Sequence, residues 1–330
     1  MQKLSVFLVG DYRTGTGPAN VTARYAKLLP DVRVQKMRTK PMRLLELLLR
    51  IPFCGIVLLS GHSAQNLYAL KIAQAFHKKT AFLMHGCVEH ENRINRVENE
   101  RMTREERETL QGADAIFAVS TRFANWLCER YPEYAGKISA VPNGIDFPEN
   151  ETGERDTHMI LSIGGGMPRK GICNIAKAVM LLREDPAYAD ACLTVIGARG
   201  ADSDEIDSFP CVKDLGLVSH EQSMELLRRA ALFVQNSCFE TFGLAPLEAL
   251  SCGASLLLSK EVGALEVFSH VEEGDLIENT SDPAEIAGKI RNLLQQGNRD
   301  RLLSSIDTES VSWAKRCSLL MEKLQALAKE

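Results

Sequence analysis

Apolar residues along this 330-residue chain change period from segment to segment, and the changes predict strands alternating with helices. Short apolar runs bounded by turn residues predict strands at LSVFLVG (4–10), VRVQKM (32–37), IVLLSG (56–61), TAFLMHG (80–86), ADAIFAVS (113–120) and ISAVPNGID (138–146). Apolar positions three and four apart predict helices over GPANVTARYAKLLP (17–30), AQNLYALKIAQAFHKK (64–79) and TRFANWLCERY (121–131). The rhythm then restarts. HMILSIGGG (158–166), ACLTVIGA (191–198), ALFVQNS (231–237) and ASLLLSK (254–260) read as strands, with helices over ICNIAKAVMLLRE (172–184), after Pro246, and from about Ile286 onward.

Strands alternating with helices predict an α/β fold of parallel sheets covered on both faces. The two runs meet at the polar, turn-rich GIDFPENETGERDTHM (144–159), which places a boundary between domains 1–150 and 151–330. No internal repeat is visible. Hydrophobic content of 45% and charged content of 25% match ordinary globular chains and exclude disordered and fibrous classes. No apolar run reaches the roughly 18 residues of a membrane span. MQKLSVFLVGD runs straight into the first strand with too short an apolar stretch for a signal peptide. Nine cysteines are dispersed without a C-x-x-C pair, which predicts buried thiols and a cytoplasmic setting.

Charge is divided unevenly. Residues 1–150 hold 21 Lys and Arg against 15 Asp and Glu, and the remainder holds 18 against 28. The excess in the first half fits an anionic partner, or simply a solvated basic surface. RTKPMRLLELLLRIPF (38–53) concentrates this ambiguity. It reads either as a helix lying on an anionic bilayer or as one packing its leucines on the core.

Candidate chemistry centres on ETFGLAPLE (240–248), where Glu240 and Glu248 flank a Phe-Gly-Leu turn. With Pro246 as first helical residue, Ala245 stands where a capping box needs Ser or Thr, leaving N–H groups from about Gly243 to Leu247 for a ligand. Those N–H groups suit phosphate, whereas two carboxylates suit hydroxyls. A diphosphate flanked by two hydroxylated rings, a nucleotide-sugar, answers both. LSIGGGMPRKG (161–171) supplies a second phosphate site: Gly164 to Gly166 allow close backbone approach, and Arg169 and Lys170 would neutralise a diphosphate. VGDYRTGTGPANV (9–21) contains G-x-G-x-x-N, but its glycines lie several residues past the strand and no acid ends the second strand. It reads as a loop closing on a ligand. His85 ends the fourth strand, where open sheets place ligands. His85, Cys87, His90 and Glu91 match no strong metal-ligand spacing, and DSDEID (202–207) reads as a solvated loop, so no metal site is expected.

Together these segments resemble the retaining glycosyltransferases of family 4. The paired glutamates with seven residues between them carry the likeness, joined by IGGGMPRKG, TVIGA, AVSTRFANWL, VPNGID, VGALEV and VSWAKR around Trp313. The resemblance spans about residues 4 to 315. It implies the GT-B architecture, two Rossmann-like doubly wound domains facing across a cleft. The N-terminal one would bind acceptor and the C-terminal one the nucleotide-sugar, with the C-terminal helix packing back on the N-terminal domain. It further implies that Glu240 binds the transferred sugar with N–H groups at Phe242, Gly243 and Leu244, and that Glu248 holds the ribose. Arg169, Lys170 and Gly164 would serve the diphosphate, Gly15 and Gly17 would lie near the phosphates, and His85 over the sugar. The implied reaction is metal- and cofactor-free transfer of a hexose, with retention, from a UDP-sugar to a polysaccharide, glycolipid or lipid-linked acceptor of a bacterial surface. No nucleic acid is expected as partner; an anionic membrane surface is the partner that one of the two readings of 38–53 allows. A nicotinamide-dependent oxidoreductase and a catalytically silent nucleotide-sugar scaffold are the alternatives.

Overall fold

The computed structural model of the chain describes residues 4–147 and 154–330. The expected boundary at 150 and 151 falls outside the described residues. Contacts divide the chain into two compact units. The first takes Met1–Asn92, Glu98–Gly144 and Glu309–Glu330, and the second takes Arg93–Val97 and Ile145–Thr308.

The first unit carries a six-stranded sheet: β1 (Val6–Gly10), β2 (Val32–Val34), β3 (Ile56–Ser60), β4 (Lys79–Met84), β5 (Ala115–Ala118) and β6 (Ile138–Ala140). Its order is β2-β1-β3-β4-β5-β6, every pair parallel. Helices cover both faces of such a sheet, so β1, β3 and β4 are near-continuous apolar runs, buried along their length. Strand order reverses between β1 and β3, which opens a crevice beyond their carboxyl ends. There the backbones come so close that a Cβ on Gly10 would stand 2.6 Å from the Ser60 carbonyl. The helix Trp313–Leu327 belongs to this unit. Trp313 meets the fully buried Tyr25 edge to face at 5.6 Å and lies against Gly144, which leaves no room for a side chain there.

Two helices, Val88–Ile94, which belongs to this unit as far as Asn92, and Glu100–Gly112, escape the apolar periodicity. The second buries Glu105, Glu106 and Thr109 beside a single leucine, so its inward face reads as polar. Glu106 earns that position by accepting the Val88 and Glu89 N–H groups at 2.9 and 3.2 Å, which anchors the start of the first. The segment 38–53 folds as a helix Lys40–Arg50 followed by a 3-10 turn.

The second unit carries β7 (Asp156–Ile163), β8 (Cys192–Ile196), β9 (Val212–Asp214), β10 (Ala230–Gln235), β11 (Ser255–Ser259) and β12 (Leu276–Ile277). The order is β12-β11-β10-β7-β8-β9, again all parallel, with the reversal between β7 and β10. The edge strands β9 and β12, of three and two residues, are too short to show a period. The helix His220–Arg229 was likewise not foreseen, although Ser219 and Gln222 form a capping box at its start. All nine cysteines are free; six are buried, while Cys238 is exposed rather than buried as expected. No helix among the described residues is long and apolar enough to cross a membrane.

Candidate functional site

At the switch point of the second sheet, the chain leaves β7 through Gly164, Gly165 and Gly166, and leaves β10 toward Glu240. Gly165 adopts φ +54°, a left-handed conformation that other side chains resist. A side chain on Gly164 would press against the Lys170 stem, 3.0 Å from its Cβ. The glycines thus let the following 3-10 turn, Pro168–Lys170, fold back over the strand end. Distant segments help hold that turn. Cys238 N–H donates to the Arg169 carbonyl at 2.9 Å, and Arg169 N–H donates to Asn95 Oδ1 at 3.2 Å.

Arg169 and Lys170 converge on Glu240. Lys170 Nζ pairs with Glu240 Oε2, Arg169 Nη1 reaches the same oxygen at 3.3 Å, and Gln235 Nε2 donates to it at 2.8 Å. The three charged side chains are 11–14% exposed, so water screens the cluster little. Burial disfavours the charge on Glu240, but the Lys170 ammonium and Arg169 guanidinium outweigh it and hold the carboxyl below the usual carboxylate range. The sequence reading had divided these residues between sugar and diphosphate; the fold joins them in one ion cluster.

The glutamate's own loop is fixed by backbone. Gly263 N–H donates to the Glu240 carbonyl at 3.0 Å and Ala264 N–H to the Phe242 carbonyl at 2.6 Å. Gly243, at φ +89°, is the N-cap of the helix Leu244–Ser251 and gives it no side-chain cap. The helix therefore starts two residues before Pro246, and the expectation of Pro246 as first helical residue is corrected. Proline is tolerated at the third position because N–H groups of the first turn have no intrahelical acceptor in any case. Glu248 falls at the fifth helical position, two residues further in than expected, partly exposed, on the same short helix. Phe242 is buried, and Leu244 is partly exposed at the helix start.

Gln235, Asn236 and Asn95 are members that sequence reasoning missed. Asn236 Nδ2 donates to the Thr280 carbonyl at 2.8 Å and to that of Gly171 at 3.2 Å. A Gln-Asn pair ending an otherwise apolar strand was the available signal for the first two. Nothing local marks Asn95, which lies far away in sequence. The acids of DSDEID form a short helix in which Asp204 and Asp207 pair with Arg199 at 2.6 and 2.8 Å.

His85, Gly15 and Gly17 lie in the other unit, at the carboxyl ends of its strands. His85 Nε2 is 3.0 Å from Ser60 Oγ, itself 2.8 Å from Thr22 Oγ1. Burial pushes the imidazole down to about 4, so it is neutral at pH 7. Cys87 turns to Glu106 and the Tyr131 hydroxyl. Gly15 is left-handed at φ +76°, whereas Gly17 opens the helix Gly17–Leu28 behind the Thr16 cap. A Cβ at either would meet nothing within 4 Å. The preceding loop, Asp11 to Thr14, lines a pocket of about 240 Å³ with Gln35, Met37 and Arg43.

What the arrangement offers chemically is an anion site held ready by a carboxylate. Two cations, glycine backbone and a helix start without a side-chain cap lie at one sheet switch, and the buried Glu240 orients the cations until an anion competes for them.

Residues 146–306 match the family model of glycosyl transferases group 1, and residues 6–148 match that of glycosyltransferase family 4. The chain is 25% identical over 290 residues to a D-inositol 3-phosphate glycosyltransferase of Paenarthrobacter aurescens, covering 80% of this chain and 71% of that one. It is 25% identical over 207 residues to an alpha-maltose-1-phosphate synthase of Mycobacterium tuberculosis, covering 54% and 52%. Apart from the first, the chain spans about half the length of the curated relatives it matches. Among solved structures, HepE of Anabaena in complex with UDP and glucose superposes with a TM-score of 0.73 at 14% identity, covering 98% of this chain and all of that one. The sucrose-phosphate synthase of Thermosynechococcus elongatus gives 0.70 at 16%, covering 98% and 99%. The fold is GT-B, and the chain belongs to the family 4 glycosyltransferases.

Proposed function

We propose that this family 4 glycosyltransferase moves a hexose from a UDP-sugar to a glycan, glycolipid or lipid-linked acceptor of a bacterial surface, retaining the anomeric configuration and using no metal. The observation that carries the reading is the convergence of Arg169 and Lys170 on the buried Glu240 at the β7/β10 switch. A donor diphosphate draws the two cations toward its oxygens, and the glycines at 164 to 166 let backbone approach them. Glu240, released in part, accepts hydrogen bonds from hydroxyls of the sugar beside the N–H groups of Phe242, Gly243 and Leu244. Glu248 accepts from the ribose diol. The sugar–phosphate bond breaks as the acceptor oxygen bonds the anomeric carbon on the same face, and the acceptor proton passes to the departing phosphate oxygen. Arg169 and Lys170 stabilise the charge that develops there, the role a metal plays elsewhere. In the N-terminal unit the reading assigns His85 to the transferred sugar and Gly15 and Gly17 to the neighbourhood of the phosphates.

UDP bound in the Anabaena neighbour supports the choice of nucleotide. A panel of UDP- and GDP-sugars tests the reading: release of nucleotide, then transfer to glycan and lipid-linked acceptors, with the product anomer read by NMR and the rate read with and without chelator. Nucleotide release from a UDP-sugar is expected. Tight NADH binding without response to UDP or GDP refutes it, and donor binding without any release or transfer identifies a silent scaffold instead.

A further inference from the structure

The helix Lys40–Arg50 is amphipathic the wrong way round for a protein core. At 3.6 residues per turn, Met42, Leu44, Leu45, Leu48 and Leu49 share one broad face, and all of them are exposed, Leu45 by 55% and Leu49 by 61%. Phe53, just past the helix end, is 83% exposed. The opposite face buries only Glu46 and Leu47. Glu46 is held there by accepting the Lys36 and Met37 N–H groups at 2.8–3.0 Å and by pairing with Arg50 at 3.0 Å. The protein thus takes in the helix's one acid and leaves its leucines outside. Of the two readings of 38–53, packing of the leucine stripe on the core is overturned for all but Leu47.

We propose that this face docks on an anionic lipid bilayer. Monomeric proteins rarely leave so many large apolar side chains together in water. Lys36, Arg38 and Lys40 are exposed at and just before the helix's amino end, while its one acid, Glu46, is buried on the face away from the leucines. Cations edging a leucine face match phosphate headgroups above acyl chains. A second copy of this chain is the poorer occupant, since the helix offers no exposed acid to meet those cations. Eleven residues make a helix of about 16 Å, too short to span a bilayer and suited to lying in its interface. Docking deepens the proposed function by favouring a lipid-linked acceptor. Only that consequence rests on the glycosyltransferase reading; the docking itself does not.

The test is co-sedimentation of the whole chain with vesicles of phosphatidylcholine alone or mixed with phosphatidylglycerol, at low and high salt. Arg38→Glu/Lys40→Glu and Leu45→Ser/Leu49→Ser alter only exposed side chains, so circular dichroism should match the parent. The parent should sediment with the mixed vesicles at low salt and be released at high salt. Losing the two cations should weaken binding at least roughly thirtyfold, about fivefold for each, before the repulsion of the added glutamates. The serine pair should weaken it roughly tenfold or more by removing buried apolar area. A parent that stays in solution with every vesicle overturns the proposal, as does equal sedimentation of parent and variants. So does a parent dimer that the serine pair dissociates without any vesicle binding, which makes a second copy the occupant. Nucleotide release from a UDP-sugar, measured in the same preparations without vesicles, tests the proposed activity separately.

Discussion

Replacing Lys170 by methionine keeps a flexible stem over Gly164 and removes the ammonium from Glu240. The carboxylate then retains Arg169 Nη1 at 3.3 Å and Gln235 Nε2 at 2.8 Å. With side chains only 11–14% exposed, water replaces little of what is lost. Breaking a buried pair outright costs about 3–5 kcal/mol. A charged hydrogen bond contributes about 1.5–3 kcal/mol. With two partners left, the lower range applies, and we expect Lys170→Met to cost about 2 kcal/mol. In a unit of this size that lowers Tm by about 4–8 °C. Glu240→Gln leaves two cations facing a neutral amide and should cost a comparable amount. The double variant should lose less than the sum, with a coupling of about 2 kcal/mol. The pH dependence has a definite sign. Because the folded carboxyl sits below its usual value, the stabilisation is complete above about 4.3 and disappears as pH falls through the lowered value. Lys170→Met should shrink that acid limb. Scanning calorimetry on the four proteins, at neutral pH and across the acid range, measures all of this. Strictly additive losses with an unchanged acid limb would refute the ion cluster as the organiser of the site.

Two further outcomes follow from the geometry. Burial lowers the His85 imidazole to about 4 when folded, so the unfolded chain takes the proton first, and stability should fall by up to about 3 kcal/mol between pH 6.5 and 4. Urea midpoints of parent and His85→Asn across that range measure it, and equal slopes would show that His85 is not the titrating group. For Glu248→Ala, donor KM should rise about tenfold with kcat nearly constant, because the ribose is remote from the reacting bond. Steady-state kinetics with a UDP-sugar decides it, and a fall in kcat of the same size would move Glu248 to the reacting centre.

Local features of the sequence were enough for the class of fold and for most of the site's members. Period and turn residues marked β1, β3, β4, β5, β7, β8, β10 and β11, because a strand buried on both faces writes its environment directly into its own residues. The glutamates of ETFGLAPLE and the Arg-Lys of GGGMPRK stood out for the same reason: glycine and charge beside a strand end are costly unless used. The tertiary structure decided what those residues do to one another. Strand order brings β7 beside β10, and that alone sets Lys170 and Arg169, about seventy positions away in sequence, on Glu240. Asn95 and Glu106 were invisible because their value lies in backbone donors supplied by distant segments. The helix Lys40–Arg50 is the sharpest case. Its sequence allowed leucines in or leucines out, since amphipathicity defines two faces without saying which meets the protein. The N–H groups of Lys36 and Met37 settle it by drawing Glu46 inward. Sequence writes down what each residue needs locally, whereas partners far along the chain become definite only when elements pack.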